Sequence, residues 1–294
     1  VAAIYITLFA VMPLLLFAQY RARRYKMART RWRGIRFGME NAAWGYVWRA
    51  IGHYFLTLIT LGILAPRASF YLEKYMTDRT WYGDARFEQD GKWTALYPAM
   101  KHLFIGAGFI IVGVALAALF EAIVAAILLS IVGYIWMIVG AVYYRVQAFN
   151  YLTAHKVLDD KIGFYSEVKT STVIFTYIVG ILIIGAVSSI AFTALFVVGF
   201  VGAFVTGMSF EASLSGSMVG AVALAIFGVV GYIAILLTLG ALSLVIIVQP
   251  IIAHLVDGVQ VHGAEHLDDI TQRSADLGAD AEGFADALDI GGAI

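Results

Sequence analysis

Two things are scarce in this chain. It has no cysteine, which excludes disulfides, thiolate metal sites and thiol nucleophiles. Charged residues make up only 14% of its 294 residues, where a soluble domain carries about a quarter. A phosphate-binding loop, a nucleophile elbow and a dinucleotide-binding glycine pattern are also missing. In their place stand long apolar runs, with 61% hydrophobic residues and a mean hydropathy of +0.84. Residues 103–144 and 173–206 each exceed the roughly 20 apolar residues that span a bilayer core. These runs exclude a soluble enzyme and a disordered chain. They are continuously apolar rather than alternating, which argues against an outer-membrane barrel. The expected fold class is an all-α polytopic membrane protein. It is built of helical hairpins, with short β-like, glycine-containing stretches at the cytoplasmic face.

The formal charge of zero is a cancellation. From His254 onward the net charge is −8, and before it +8. Eighteen of the 20 Lys and Arg residues fall in three polar connectors, residues 19–43, 65–102 and 145–172. The positive-inside rule places all three in the cytoplasm, and the turns around Glu121 and Glu211 outside. Residues 103–144 and 173–253 then form out-and-back hairpins. Residues 1–19, with a kink at Pro13, are expected to make one further span. The chain begins inside this apolar run, so additional residues are expected ahead of Val1. Segment 44–64 has a connector at each end and cannot cross once. It reads as a re-entrant or interfacial helix with Trp44, Trp48 and Arg49 at headgroup level; a simple span, with one connector outside, is the alternative.

The connectors resemble one another. Thr30-Arg31-Trp32-Arg33-Gly34-Ile35-Arg36-Phe37 matches Arg79-Thr80-Trp81-Tyr82-Gly83-Asp84-Ala85-Arg86-Phe87 with one inserted residue. Asp160-Lys161-Ile162-Gly163-Phe164-Tyr165 is a weaker copy, and Gln260-Val261-His262-Gly263 a fourth candidate. Each reads as a glycine turn followed by an extended stretch, with Gly34, Gly83 and Gly163 as structural turn residues. Several such stretches could pair into a small cytoplasmic sheet. The expected organisation is a membrane domain over 1–263, with internal repeats at about 1–37, 38–87, 88–163 and 164–263. An acidic cytoplasmic tail follows over 264–294.

With Leu58-Ile59-Thr60-Leu61-Gly62-Ile63-Leu64-Ala65-Pro66-Arg67 set between the first two motifs, this order resembles the YjgN-like bacterial inner-membrane proteins, a domain of unknown function. The resemblance runs to about Gly263 and leaves the acidic tail outside. It implies a multi-helix cytoplasmic-membrane protein of Gram-negative bacteria. It brings no reaction, cofactor or catalytic residue to carry over. Ala65 departs from the pattern, since the family more often has an aromatic residue before the proline.

Candidate chemistry is sparse. His262 and His266 have the four-residue spacing that zinc sites use on a helix, but Gly263 stands where a metalloprotease has Glu. A solvated tail with incidental histidines is the preferred reading. Glu121 and Glu211 would be ion or proton sites if intramembrane; their positions favour exposed turns. Arg49 and His53, one helical turn apart in 44–64, are the candidate functional residues, set against simple snorkelling to the interface. Aromatic and basic residues interleave in 20–37 and 70–87, which fits anionic lipid heads better than nucleic acid. No metal, cofactor or catalytic residue is expected.

The expected partners are the lipid bilayer and other membrane-protein subunits, with no nucleic acid. The favoured role is a non-enzymatic scaffold or accessory subunit of a membrane assembly in the bacterial inner membrane. A small transporter or channel with a pathway between repeated hairpins is the alternative; Ser130, Ser188, Ser189, Thr193, Thr238 and Ser243 would line it. The acidic tail is expected to dock on the basic connectors through charge, weakening in salt. An amphipathic helix over Leu277, Ala281, Phe284, Ala285 and Leu288 would support it.

Overall fold

The computed structural model describes residues 2–205 and 218–274. The expectations for Glu211 and for a helix over 277–288 lie outside these residues. Two compact units divide the chain: residues up to Val168 with those from Val259, and Lys169–Gly258.

The first unit opens with helix α1 (Ala2–Arg29), which runs unbroken past Pro13. Arg21, Arg23, Arg24, Lys26 and Arg29 therefore ride on its final turns, where the sequence from residue 19 onward suggests a connector. Cations suit the negative end of the helix dipole. A hairpin follows, β1 (Arg31–Trp32) and β2 (Ile35–Met39). Helices α2 (Ala43–Ile59) and α3 (Ala65–Thr77) lead to β3 (Thr80–Tyr82) and β4 (Ala85–Gln89). A 3₁₀ stretch (Trp93–Met100) then opens helix α4 (Lys101–Phe120), which returns through α5 (Ile123–Ala154) to β5 (Lys156–Leu158) and β6 (Ile162–Ser166). After the second unit the chain comes back as β7 (Val259–His262) and a 3₁₀ turn, Ala264–Asp269.

The seven strands form one antiparallel sheet in the order β1 to β7. The fold is therefore not all-α, contrary to the class expected from the sequence. The sequence suggests that several short stretches pair; local pattern hides which pairs form, because the long-range ones join strands far apart in the chain. Met39 pairs with Thr80, Gln89 with Lys156 and Ser166 with Val259. Each of these pairs closes a helical excursion, so the chain leaves and re-enters at the same layer three times. A segment closed in this way crosses any bilayer an even number of times, or not at all.

The turns differ from one another. Trp32 pairs with Ile35 around Arg33 and Gly34, both at positive φ (48° and 84°), the pattern of a type I′ turn. Tyr82 pairs with Ala85 around Gly83 and Asp84, with only Gly83 at positive φ (58°), as in type II′. The two motifs thus align on their turns without an insertion, and their glycines occupy different turn positions. Gly163 makes no turn: it sits inside β6, paired with Val157 and His262. The reversal there uses Asp159 and Asp160 (φ 53° and 52°), since a short Asp side chain tolerates the left-handed region.

Helices α4 and α5 reverse at Glu121, whose φ of 52° ends α4, so this acid lies in the turn. The contact between them is made by small residues seven apart: Gly106 and Gly113 on one helix, Ala126, Gly133 and Gly140 on the other. A Cβ on Gly133 would stand 2.8 Å from the Gly106 carbonyl. Small-residue seams of this kind let apolar helices approach where lipid gives no hydrophobic drive. At 1.5 Å per residue α4 is about 30 Å long, a bilayer core, while α5 at about 48 Å overshoots it. Helix α2, of 17 residues, reaches only about 25 Å.

The second unit pairs α6 (Thr170–Val205) with α7 (Met218–Ser243). Gly231 receives the Leu195 side chain and Gly180 that of Ile247. A π turn (Leu244–Val248) joins α7 to α8 (Gln249–Asp257), whose first turn holds Pro250. Proline has no amide to donate four residues back, and the widened turn absorbs the break.

Among the described residues, four helices are long and apolar enough to cross a membrane: Trp93–Phe120, Ile123–Ala154, Thr170–Phe204 and Ala225–Asp257.

Candidate functional site

Where helices meet sheet, the first unit concentrates its charge. Glu73 on α3 is the centre. Arg23 of α1 grips its carboxylate with both guanidinium nitrogens (3.1 and 3.2 Å), and Lys156 of β5 donates at 2.7 Å. Burial pushes the Glu73 carboxyl up, but the Lys156 ammonium and Arg23 guanidinium more than reverse this and hold it at about 2. One carboxylate thus clamps three segments that are up to 133 residues apart. Nothing in the sequence singles Glu73 out from the other charges of its connector, so sequence reasoning passes over it.

Neighbouring groups complete the layer. Gln89 is fully buried, and its amide donates to the Leu152 and His155 carbonyls (3.0 and 3.1 Å). Lys74 Nζ donates to the Gln89 main-chain carbonyl at 2.6 Å, and Asp78 accepts from the Gln89 main-chain N–H at 2.8 Å. On the other side Arg24, 5% exposed, donates to the Met39 carbonyl and to Asn41 Oδ1. The Tyr20 hydroxyl donates to the Glu40 carbonyl at 2.9 Å. These bonds satisfy main-chain groups at the ends of α5, β2 and β4, which is what lets polar groups be buried there.

The far face of the sheet is closed by residues 264–272. Leu267 and Ile270 are buried with Tyr82, Ala85, Leu158 and Ile162. Asp84 accepts from the Thr271 hydroxyl (2.7 Å) and amide (2.9 Å), and these bonds lower its carboxyl below the ordinary value. The Arg36 amide donates to Gln272 Oε1 at 2.7 Å. Residues 264–272 therefore dock by apolar contact and by hydrogen bonds. One ion pair here, Asp268 with Arg33, is 74% and 51% exposed and contributes little.

The residues singled out from the sequence fall apart in space. Arg49 donates to the Gly45 carbonyl one turn back and lies over the Tyr75 ring, 4.7 Å from its centre. His53 stacks on Tyr71 at 5.5 Å. Neither touches the Glu73 cluster. His262 lies in β7 and His266 in the 3₁₀ turn beyond Gly263, itself at a φ of 77°, so they share no helix face. Among the described residues no group of three or more His, Asp or Glu side chains could hold a metal. A polar cleft of about 160 Å³ lies beside Asp84, Asp159, Lys161, His266 and Asp269. Asp84 there is already committed to Thr271.

Four helices of such length and apolarity suggest a membrane protein. The chain belongs to the YjgN-like family of bacterial proteins of unknown function (DUF898), whose model matches residues 1–287. Neither a curated protein nor a solved structure matches it.

Proposed function

We propose that this is a non-enzymatic, multi-pass protein of the bacterial inner membrane that serves as a scaffold or accessory subunit of a membrane assembly. The sheet layer carries most of the basic residues, so the positive-inside rule puts it in the cytoplasm. The sheet register carries the proposal: strands β2 to β7 return every helical hairpin to one layer, where repeated hairpins are held as a platform. The hydroxyls that could line a transport path support the same reading. Ser188, Ser189 and Thr238 donate to the Gly185, Ala186 and Ala234 carbonyls of their own helices, as an isolated hydroxyl does in apolar surroundings. Helix α6 buries none of its most apolar window, which leaves its sides for lipid and for further membrane-protein subunits.

Purification from its own membranes in mild detergent, followed by mass determination, is expected to give a stoichiometric complex with another membrane protein. A lone chain that conducts a solute after reconstitution would favour the transporter instead.

A further inference from the structure

The hairpin of α2 and α3 ends in a five-residue reversal, Thr60 to Leu64, that is apolar and bare and pairs every one of its backbone donors internally. Leu58, Ile59 and Ile63 are 73%, 62% and 51% exposed, and Leu61 is 93% exposed. Yet its amides are all bonded within the hairpin. The amides of Thr60, Leu61, Gly62, Ile63 and Ala65 donate to the carbonyls of Leu56, Leu58, Thr57, Thr60 and Gly62. The Leu64 amide donates to the Thr60 hydroxyl at 3.2 Å, and the next but one residue, Pro66, has no amide. A loop facing water leaves such donors to the solvent; one facing hydrocarbon must satisfy each of them internally.

The depth of this tip can be read from its neighbour. Helix α3 runs beside the end of α5 in the same direction. The Tyr144 hydroxyl donates to Ser69 at 2.9 Å, Phe70 packs with Ala148 and Leu152, and Glu73 meets Lys156. The tip therefore points back along α5 toward Ile123. Twenty residues from Ile123, about 30 Å of helix, reach Val142. Tyr143, Tyr144 and Arg145 follow, with Lys101 Nζ 5.1 Å from the Tyr143 ring. This is an interfacial belt of aromatic and basic residues, and Ser69 lies level with it. Beyond Ser69 the four residues back to Ala65 rise about 6 Å, and the reversal adds a few more. Arg67 sits between, its guanidinium 5.6 Å from the Tyr71 ring, at the height of lipid phosphates.

We infer that the α2–α3 hairpin is a wedge in the sheet-side leaflet. It carries Leu58 to Ile63 roughly 10 Å into the acyl chains and places Arg67 among the phosphates. Its occupant is lipid, since the tip presents the apolar side chains of Leu58, Ile59, Leu61 and Ile63 and keeps its amides bonded within itself. The inference rests on the reading that α4 and α5 cross the membrane.

Because the chain has no cysteine, single sites can be spin-labelled without background. Nitroxides at Ile59→Cys and Leu61→Cys, with Ile131→Cys in mid-α5 and Glu88→Cys in the sheet as references, are placed in phosphatidylethanolamine–phosphatidylglycerol vesicles. Collision with oxygen against a water-soluble nickel chelate reports depth. The expected result is a depth of about 10 Å at positions 59 and 61, between water-like Glu88 and mid-bilayer Ile131. Water-like values at 59 and 61 with Ile131 still deep would overturn the wedge and leave the crossing hairpin intact. Water-like values at Ile131 as well would overturn both. Labels at 59 and 61 as deep as Ile131, or shielded from both reagents, would equally reject a lipid-facing wedge of half-leaflet reach.

Discussion

Replacing Glu73 by alanine is expected to destabilise the first unit by about 3 kcal/mol, the cost of stripping the partner from a largely buried charge. The substitution leaves two cations, Arg23 and Lys156, facing each other with 27% and 23% exposure and no anion between them. The pH dependence follows from the same geometry. The Glu73 carboxyl is held at about 2, below its ordinary 4.5, so the folded state prefers the ionised form. Its contribution is complete above pH 4.5 and is lost as pH falls toward 2. A displacement of that size corresponds to roughly 3 kcal/mol, in line with the first figure. Melting curves in detergent should show wild type well above Glu73→Ala at pH 7, with the gap closing on acidification below pH 4.5. A pH-independent gap would mean that the carboxylate acts through packing alone.

Gly83 should be the least replaceable of the three glycines in the hairpin motifs. A Cβ there would collide with the Thr271 carbonyl and come within 2.9 Å of Ile35 and Ile270 side chains, on a backbone at positive φ. The conformational cost of about 1 kcal/mol and an overpacking cost of about 1–3 kcal/mol add, because both arise in the native state. At Gly34, also at positive φ, an added Cβ would meet nothing within 4 Å, so only the first cost applies. Gly163 has ordinary φ and open space, so alanine there should change stability by less than about 0.5 kcal/mol. Gly83→Val should also release residues 264–272, exposing them to limited proteolysis, with little dependence on salt. Equal behaviour of Gly34→Val and Gly83→Val would show that the close approach of Thr271 is immaterial.

What can be read from the sequence, and what cannot, divides along the range of the interactions. The α4–α5 hairpin is legible because one charge, Glu121, interrupts 42 apolar residues near their middle, and a turn is the least costly place for it. Extended stretches at Trp81 and Phe87 are legible from alternation. Their partners are not: Gln89 and Lys156 look unrelated until a helical hairpin brings them together. The basic run from Arg21 looks like a connector, yet those residues extend α1, since Arg and Lys are good helix formers and no breaker stands before Thr30. Gly163 is drawn in by likeness to Gly83, although the adjacent Asp159-Asp160 makes the turn. Arg49 and His53 draw attention as polar residues in an apolar segment. The clamp instead forms at Glu73, because a charge among charges gives no local signal and only the fold decides which one is buried.

The side on which each sheet strand lies is the most direct test. Single cysteines at Glu88, Lys161 and Gln260, on β4, the β5–β6 turn and β7, are labelled with a membrane-impermeant maleimide in right-side-out and inside-out vesicles, beside a cysteine at Glu121. One layer that gathers every hairpin predicts that the first three react only from the cytoplasmic face and Glu121 only from the opposite one. Labelling of Glu88 and Lys161 from opposite faces would contradict it, because strands on two sides of a membrane cannot pair.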